Sequence, residues 1–256
     1  MQSEEIIKTF RQQGKRTFLS SEFAAQSGAS GPALAGRLRR LREGRLIVTP
    51  VKGFHVICSD QPILGVELYL DSLMKHLDSY YYVAALSAAQ YHGASHQKPM
   101  QYQVCVSKNL RNIEVNAQPI KFILNEDVAW VPTVQRKTAS GYLTFSSLAV
   151  TCYDLVRYPQ LAGGINNAAT CLYELLEESK DSLSDLADVR FKTNILQRLG
   201  CILDRVELKK PASTLEKILK NRTLHWTPLV RGQTTKGSIK NTKWMILANE
   251  ILEPDL

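Results

Sequence analysis

Apolar positions near the start of the chain recur at the three-to-four-residue spacing of amphipathic helices. The pattern predicts a first helix over residues 3–13 and a second over SEFAAQ, with Ser21 as its cap. A third helix follows the tight turn Gly28-Ala29-Ser30, with Ser30 as its cap and Pro32 in its first turn. The apolar faces are formed by Ile6, Ile7 and Phe10 in the first helix and by Leu34, Leu38 and Leu41 in the third.

The hydrophobic period then changes to that of strands. Two extended runs, Arg45–Thr49 and Phe54–Ile57, flank the turn at 50–53 and predict a hairpin. Helix, turn, helix and hairpin in this order are typical of a winged helix-turn-helix, whose second helix enters the DNA major groove. The residues expected to contact DNA are Ser30, Pro32, Arg37, Arg39, Arg40, Arg45 and Lys52. A protein-docking module and a purely structural role remain the alternatives.

A turn at Ser59-Asp60-Gln61-Pro62 predicts a boundary between a DNA-binding domain over 1–60 and a second domain over 61–256. Beyond it the pattern predicts two helices and then a series of strands and helices. The predicted helices are 64–77, 80–91, 147–158, 166–178, 191–205 and 213–221, and the predicted strands are 101–107, 112–115, 120–124, 134–137, 142–145, 226–230 and 243–249. The fold class is therefore α+β, a winged helix followed by an α/β domain with a central sheet and flanking helices.

Composition and length agree with a soluble globular protein. The chain has 256 residues, of which 44% are hydrophobic, and no apolar run is long enough to cross a membrane. The five scattered cysteines form no CxxC pair, and the N-terminus lacks the pattern of a secretion signal. We therefore expect reduced thiols, a cytoplasmic location and no membrane partner.

Basic residues concentrate in two separate stretches, and the net charge of +8 suggests an acidic partner. Residues 1–60 hold ten Lys or Arg against five Asp or Glu, and residues 205–243 hold ten against two. The second stretch also contains Trp226 and Trp244, an interleaving that fits a nucleic-acid surface. This possible C-terminal basic surface comprises Lys209, Lys210, Lys217, Lys220, Arg222 and Arg231. A solvated, flexible rim is the alternative.

No arrangement of residues indicates catalysis, a cofactor or a metal. His92 and His96 are four residues apart, but Gly93 lies between them at a predicted helix end and no further ligand is evident. Glu126 and Asp127 beside a strand lack the lysine that a nuclease metal site requires. We therefore expect no enzymatic activity and no cofactor, and we interpret Asp154 and Arg157 as an ion pair on a helix surface.

Three segments resemble the AbiEi antitoxins of type IV toxin–antitoxin systems, and the resemblance covers nearly the whole chain. The segments are YYVAALSAAQYHGASHQKPMQYQV at 81–104, TCYDLVRYPQLAGGINN at 151–167, which is the most specific, and KWMILANEILEPD at the end. The resemblance implies a repressor that binds inverted repeats at the promoter of its own operon. It also implies an antitoxin that counters a cognate AbiEii nucleotidyltransferase toxin, generally without a stable complex, and that requires its C-terminal domain to do so.

Two other functions remain open from the sequence. A nuclease guided by the winged helix would show metal-dependent cleavage that depends on Glu126 or Asp127. A ligand-responsive repressor would lose operator binding when its second domain binds a small molecule.

Overall fold

The computed structural model describes residues 3–58, 65–94, 99–115, 117–177, 179 and 183–255, which form two compact units. Unit 1 comprises Met1–Tyr82, Met100–Ala129 and Gln135–Thr144, and unit 2 comprises Val83–Pro99, Trp130–Val134 and Phe145–Leu256. The predicted boundary at 59–62 lies outside the described residues, and the division of roles between 1–60 and 61–256 stays a prediction.

The first part of unit 1 has the element order of a winged helix-turn-helix. Its elements are α1 (Ser3–Gln12), β1 (Thr17–Leu19), α2 (Ser20–Ser27), α3 (Gly31–Glu43), β2 (Ile47–Val51) and β3 (Phe54–Ile57). The strands form an antiparallel sheet in the order β1-β3-β2. Strand β1 is absent from the sequence prediction because three residues are too few to establish a period. The core is formed by Ile6, Ile7, Phe10, Phe18, Phe23, Leu38, Leu41, Ile47 and Ile57.

The caps of α2 and α3 differ from those predicted. Ser21 lies inside α2, and the helix is capped instead by Glu22, whose carboxylate accepts a 2.7 Å hydrogen bond from the Leu19 amide. At the other end Gly28 adopts the left-handed conformation, with φ of 64°, and its amide donates to the Ala24 carbonyl. Ser30 occupies the N-cap position of α3 with extended backbone, but its side chain makes no capping hydrogen bond.

The chain continues through a short helix into the strands of a sheet, most of whose residues belong to unit 1. A 3-10 turn (Val66–Leu68) precedes α4 (Leu70–His76). The strands that follow are β4 (Tyr81–Val83), β5 (Tyr102–Val106), β6 (Ile113–Val115), β7 (Gln118–Leu124), β8 (Thr133–Thr138) and β9 (Gly141–Ser146), in the sheet order β6-β7-β5-β4-β9-β8. Five consecutive residue pairs join β5 and β7 in parallel, from Tyr102–Ile120 to Val106–Leu124.

The prediction of a single helix over 80–91 is wrong in its first half. Tyr81–Val83 is strand β4, and α5 begins only at Ala85, which has a φ of 46°. A run of aromatic and β-branched residues favours a strand, and the positive φ of Ala85 separates that strand from the helix. The apolar pattern alone does not distinguish the two structures over so short a segment.

Unit 2 contains the other helices and a small sheet. Its elements are α5 (Ala85–Tyr91), α6 (Leu148–Arg157), α7 (Ile165–Leu176), a 3-10 turn (Leu183–Ala187), α8 (Thr193–Arg205), α9 (Lys209–Leu219), β10 (Thr227–Pro228), β11 (Ile239–Asn241) and β12 (Ile246–Ala248). The interpretation of Asp154 as part of a surface ion pair is wrong, because Asp154 is fully buried in α6. Of the helices described, none has the length and apolar character that a membrane span needs.

The last strands of unit 2 are fixed to α8 by one aromatic residue. Trp244 is buried against Gly200, at which any Cβ would overlap the indole ring. The indole Nε1 donates a 2.6 Å hydrogen bond to Asp204 Oδ2, and Gln197 Nε2 donates to the Trp244 carbonyl at 2.8 Å. Trp244 is therefore a core residue, and the prediction that it interleaves with surface lysines is wrong.

Candidate nucleic-acid interface

Helix α3 has an apolar face and a cationic face. Leu38 and Leu41 are buried in the core of the winged helix, and Leu34 packs against it. Arg39 and Arg40 are exposed on the other side of the helix, and Arg42 is exposed at the edge of the apolar face. Ser30 and Pro32 are exposed at its N-terminal end. The arrangement leaves the N-terminal turn and the arginine face accessible to a partner.

Arg37 differs from the other arginines of α3 because its guanidinium contacts the chain itself. Its Nη1 donates a 3.0 Å hydrogen bond to the carbonyl of Ser27, the last residue of α2. The bond spans the turn between α2 and α3 and fixes the position of one helix relative to the other. Arg37 therefore supports the geometry of the helix-turn-helix.

Little negative charge on α3 compensates the positive charge of the exposed arginines. Arg39 lies 3.6 Å from Glu43, with both side chains more than 60% exposed, so solvent screens this ion pair strongly. Arg45 follows the helix in a left-handed conformation, with φ of 55°, and is exposed. Glu43 is the one acidic residue of α3, so the face keeps a positive excess.

The tip of the β2–β3 hairpin is held by α4. Gly53 has a φ of 82°, which permits the tight reversal, and the Lys52 side chain is exposed. His76 Nε2 lies 3.0 Å from the Lys52 carbonyl, and its ring lies 5.6 Å from the ring of Phe54. Because a carbonyl oxygen only accepts, Nε2 is the donor in this hydrogen bond. Nothing in the sequence pattern pointed to His76, since it lies 24 residues from its acceptor.

A second histidine, His55, fixes the base of the wing. It is buried, its ring stacks on Phe18, and its two nitrogens lie 2.8 Å from Ser20 Oγ and Thr49 Oγ1. Burial, with the nearby positive charge of Arg42, lowers the pKa of His55 to about 4. The ring is therefore neutral near pH 7, and its hydrogen bonds link β3 to the start of α2 and to β2.

The C-terminal basic residues divide into exposed and structural groups. Lys209, Lys210, Lys217, Lys220 and Arg231 are exposed. Lys243, in contrast, forms ion pairs with Asp204 and Glu216. Trp226 is 41% exposed, and Lys240 Nζ lies 5.6 Å from the centre of its ring.

Arg222 is half-buried and belongs with the structural group. Its guanidinium donates to the main-chain carbonyls of Leu186, Ala187, Asp188 and Phe191 at 2.5–3.2 Å. The segment it contacts is also held by Arg190, which hydrogen-bonds to Asp188 and covers the ring of Trp130. Arg222 therefore stabilises a loop of unit 2, and the exposed surface that we retain consists of the four lysines and Arg231.

The residues considered for catalysis do not form a site. His92 Nε2 lies 2.9 Å from the Ser146 carbonyl, and His96 lies outside the described residues. Glu126 and Asp127 lie on the turn after β7, with Glu126 exposed. Within the described ranges no three His, Cys, Asp or Glu side chains come together as metal ligands.

Comparisons with known proteins agree with this architecture. Residues 82–205 match the family model of the AbiEi antitoxin C-terminal domain, a family of antitoxins that are in general not enzymes. The crystal structure of the RV2827C protein from Mycobacterium tuberculosis is similar over 95% of this chain and 90% of that one, with a TM-score of 0.67 and 14% identity. This likeness supports the α+β fold. No curated protein matches the sequence.

The family match covers two of the three segments on which the resemblance was based: all but the first residue of the helix-to-strand segment at 81–104, and TCYDLVRYPQLAGGINN at 151–167. The resemblance is thereby confirmed over residues 82–205, and the match to an AbiEi antitoxin domain supports an antitoxin role in a toxin–antitoxin system.

Proposed function

We propose that this antitoxin is also a DNA-binding repressor of its own operon, and that α3 and the wing carry the DNA contacts. The observation that supports the proposal is the exposed cationic face formed by Arg39, Arg40, Arg42, Arg45 and Lys52, accompanied on α3 by the single carboxylate of Glu43. Arginine and lysine side chains bind phosphate, and arginine also reads guanine edges. Ser30 and Pro32, at the exposed start of α3, would allow a close approach to the groove.

Arg37 has a different place in this proposal. Its hydrogen bond to the Ser27 carbonyl orients α3, so its contribution to DNA binding is indirect. We assign direct contacts to Arg39 and Arg40 on the helix, and to Arg45 and Lys52 on the hairpin. The operator, as the family resemblance implies, would contain inverted repeats near the promoter.

A gel-shift titration with the promoter DNA at several salt concentrations tests this assignment. We expect Arg39→Ala/Arg40→Ala to weaken binding and to reduce the salt slope by about two units, because each lost phosphate contact removes about 0.9. The matched control is Lys217→Ala/Lys220→Ala, which removes the same charge from α9. Equal affinity and slope for the Arg39→Ala/Arg40→Ala protein and the unaltered protein would disprove the role of α3.

We propose further that the antitoxin is of type IV and counters an AbiEii-type nucleotidyltransferase in the cytoplasm without a stable complex. The exposed lysines of α9 support an acidic partner, and we infer that this partner is nucleic acid. Trp226 beside Lys240 offers an exposed aromatic ring next to a cation, as single-stranded nucleic acid requires. We propose no catalytic activity for the chain.

Rescue of cells that express the cognate toxin tests the second half of the proposal. Replacement of Lys217 and Lys220 by Glu should abolish rescue and leave promoter binding intact. The Arg39→Ala/Arg40→Ala protein serves as the reciprocal control, since it should rescue and fail to repress. Full rescue by the α9 variant would remove these lysines from the antitoxin mechanism.

A further inference from the structure

A cleft of about 490 Å³ in unit 1 is used by none of the functions described above. It is lined by the turn between α1 and β1, by β1 and β3, and by α4, with Ser140 from the β8–β9 turn. This volume lies in the range of sites that hold small organic ligands. Leu19 and Leu68 provide a partly exposed apolar wall, whereas Phe18 and Phe54 also line the cleft but are almost fully buried.

The polar part of the lining holds three cationic side chains, two of which have carboxylate partners. Lys15 pairs with Glu22, and Lys75 Nζ lies 2.7 Å from Asp71 Oδ2 in an exposed ion pair that solvent screens. Lys15, Arg16 and Lys75 line the cleft together with His76, and Glu22 is the one carboxylate among the lining residues. Glu22 is already engaged by Lys15 Nζ at 2.6 Å and by the Leu19 amide at 2.7 Å. Although burial opposes the change, these hydrogen bonds lower the pKa of Glu22 below its ordinary value. Arg16 is exposed, and no described residue forms a hydrogen bond or ion pair with its guanidinium.

The position of the cleft distinguishes it from the DNA-binding face. No residue of α3 lines it, and neither Arg45 nor Lys52 does so. Its concave shape and its apolar wall suit a compact ligand better than an extended phosphate backbone. The guanidinium of Arg16 and the ammonium of Lys75 suit a phosphate group on such a ligand.

The cleft shares one residue with the wing. His76 lines the cleft, and its Nε2 also donates to the Lys52 carbonyl at the hairpin tip. The ring approaches the backbone of Gly53 so closely that a Cβ there would lie 3.5 Å from His76 Cε1. A ligand that packs against the imidazole restricts the motion of the ring that donates to the wing tip. A bound ligand would therefore tighten the contact between His76 and the wing tip.

We propose that this cleft binds a small phosphorylated molecule with a flat apolar portion, and that its occupancy holds the wing tip against α4. Arg16 and Lys75 bind the phosphate, and the wall formed by Leu19 and Leu68 receives the apolar portion. The proposal does not depend on DNA binding, because both the affinity for the ligand and the order of the wing are measured without DNA.

Isothermal titration calorimetry of the full chain with adenosine 5′-monophosphate, inorganic phosphate and adenosine tests the binding. We expect the nucleotide to bind with a Kd between about 10 µM and 1 mM, phosphate to bind more weakly, and adenosine to show no saturation. Arg16→Ala/Lys75→Ala should weaken nucleotide binding at least tenfold, on the order of 1.4 kcal/mol. The matched control, Lys8→Ala/Arg111→Ala, removes two exposed cations of unit 1 outside the cleft and should bind as the unaltered protein does.

A second variant and a second measurement complete the test. Ser72→Trp fills the cleft without removing charge and should also abolish binding. Hydrogen exchange at the amides of Gly53 and Phe54 should slow several-fold when the nucleotide is present. Absence of saturable binding by both phosphorylated probes, or equal affinity in the Arg16→Ala/Lys75→Ala protein, overturns the site. Binding of the nucleotide without slower exchange at Gly53 and Phe54 overturns the link to the wing. If the Arg16→Ala/Lys75→Ala protein loses affinity for DNA but not for the nucleotide, these cations bind the DNA backbone instead.

Discussion

The two basic regions of this chain, 1–60 and 205–243, hold ten basic residues each but differ in how the fold uses them. On α3 and the wing, one arginine of the predicted set, Arg37, is engaged by the backbone, and the others are exposed. In the C-terminal stretch, Arg222 donates to four main-chain carbonyls and Lys243 forms two ion pairs within unit 2. The count of basic residues along a sequence is therefore a poor measure of the positive charge that a partner encounters.

The comparison predicts the largest effect at Arg222. We expect Arg222→Ala to lower the free energy of unfolding by about 3 kcal/mol, because four carbonyls lose a charged donor. The neighbouring Lys220→Ala should change it by less than about 0.5 kcal/mol. Urea denaturation measures both. Equal midpoints for the two variants would show that Arg222 belongs to the free surface after all.

The next largest expected effect is a pH dependence of the free energy of unfolding that arises at His55, at the base of the wing. The folded state holds His55 neutral with a pKa of about 4, whereas the unfolded chain binds a proton near pH 6.5. Stability is therefore complete above pH 6.5 and is lost as the pH falls towards 4, by up to about 3 kcal/mol. Below pH 4 this histidine contributes no further loss.

Urea denaturation at several pH values between 7 and 4 measures the slope. His55→Gln keeps an amide for hydrogen bonding but has no titratable group, so this part of the slope should disappear. A variant that retains the full slope would assign it to other groups.

A smaller effect distinguishes two arginines of the same helix. Arg37→Ala should destabilise the fold by about 1 kcal/mol, because the Ser27 carbonyl loses its donor, and should weaken DNA binding indirectly. Arg40→Ala should leave stability within about 0.5 kcal/mol and weaken DNA binding directly, with a salt slope lower by about one unit. Thermal unfolding and gel shifts on both variants decide the matter. Equal stability and equal DNA affinity of the Arg37→Ala and Arg40→Ala proteins would contradict this distinction.

The smallest effect on stability is expected on α9. Lys217→Glu/Lys220→Glu places two acidic residues on an exposed helix face and should shift the free energy of unfolding by less than about 0.5 kcal/mol. Rescue from the toxin should nevertheless be lost. If instead both stability and rescue are unchanged, these lysines are ordinary solvated surface.

Local patterns predicted the N-terminal helices and the hairpin well, and the long-range contacts hardly at all. The apolar faces of α1 and α3 and the hairpin of β2 and β3 follow from residue spacing, and the structure has them. Strand β4 was missed because a short aromatic run fits either structure. The partners of Arg222 and Lys52 lie 24 to 36 residues away, so no local pattern indicates them. Which arginines stay free is decided by the packed fold, and neither composition nor period contains that information.

The contact of Trp244 with Gly200 has a consequence for how this protein can be divided. The family match ends at residue 205, yet the indole of Trp244 is buried on a residue inside the matched segment and donates to Asp204. A fragment cut at 205 would uncover an apolar surface made for a large aromatic ring, at a cost of about 5 kcal/mol from the area that such a ring buries. The segment that matches the family model is therefore shorter than the unit that folds, which extends at least to β12.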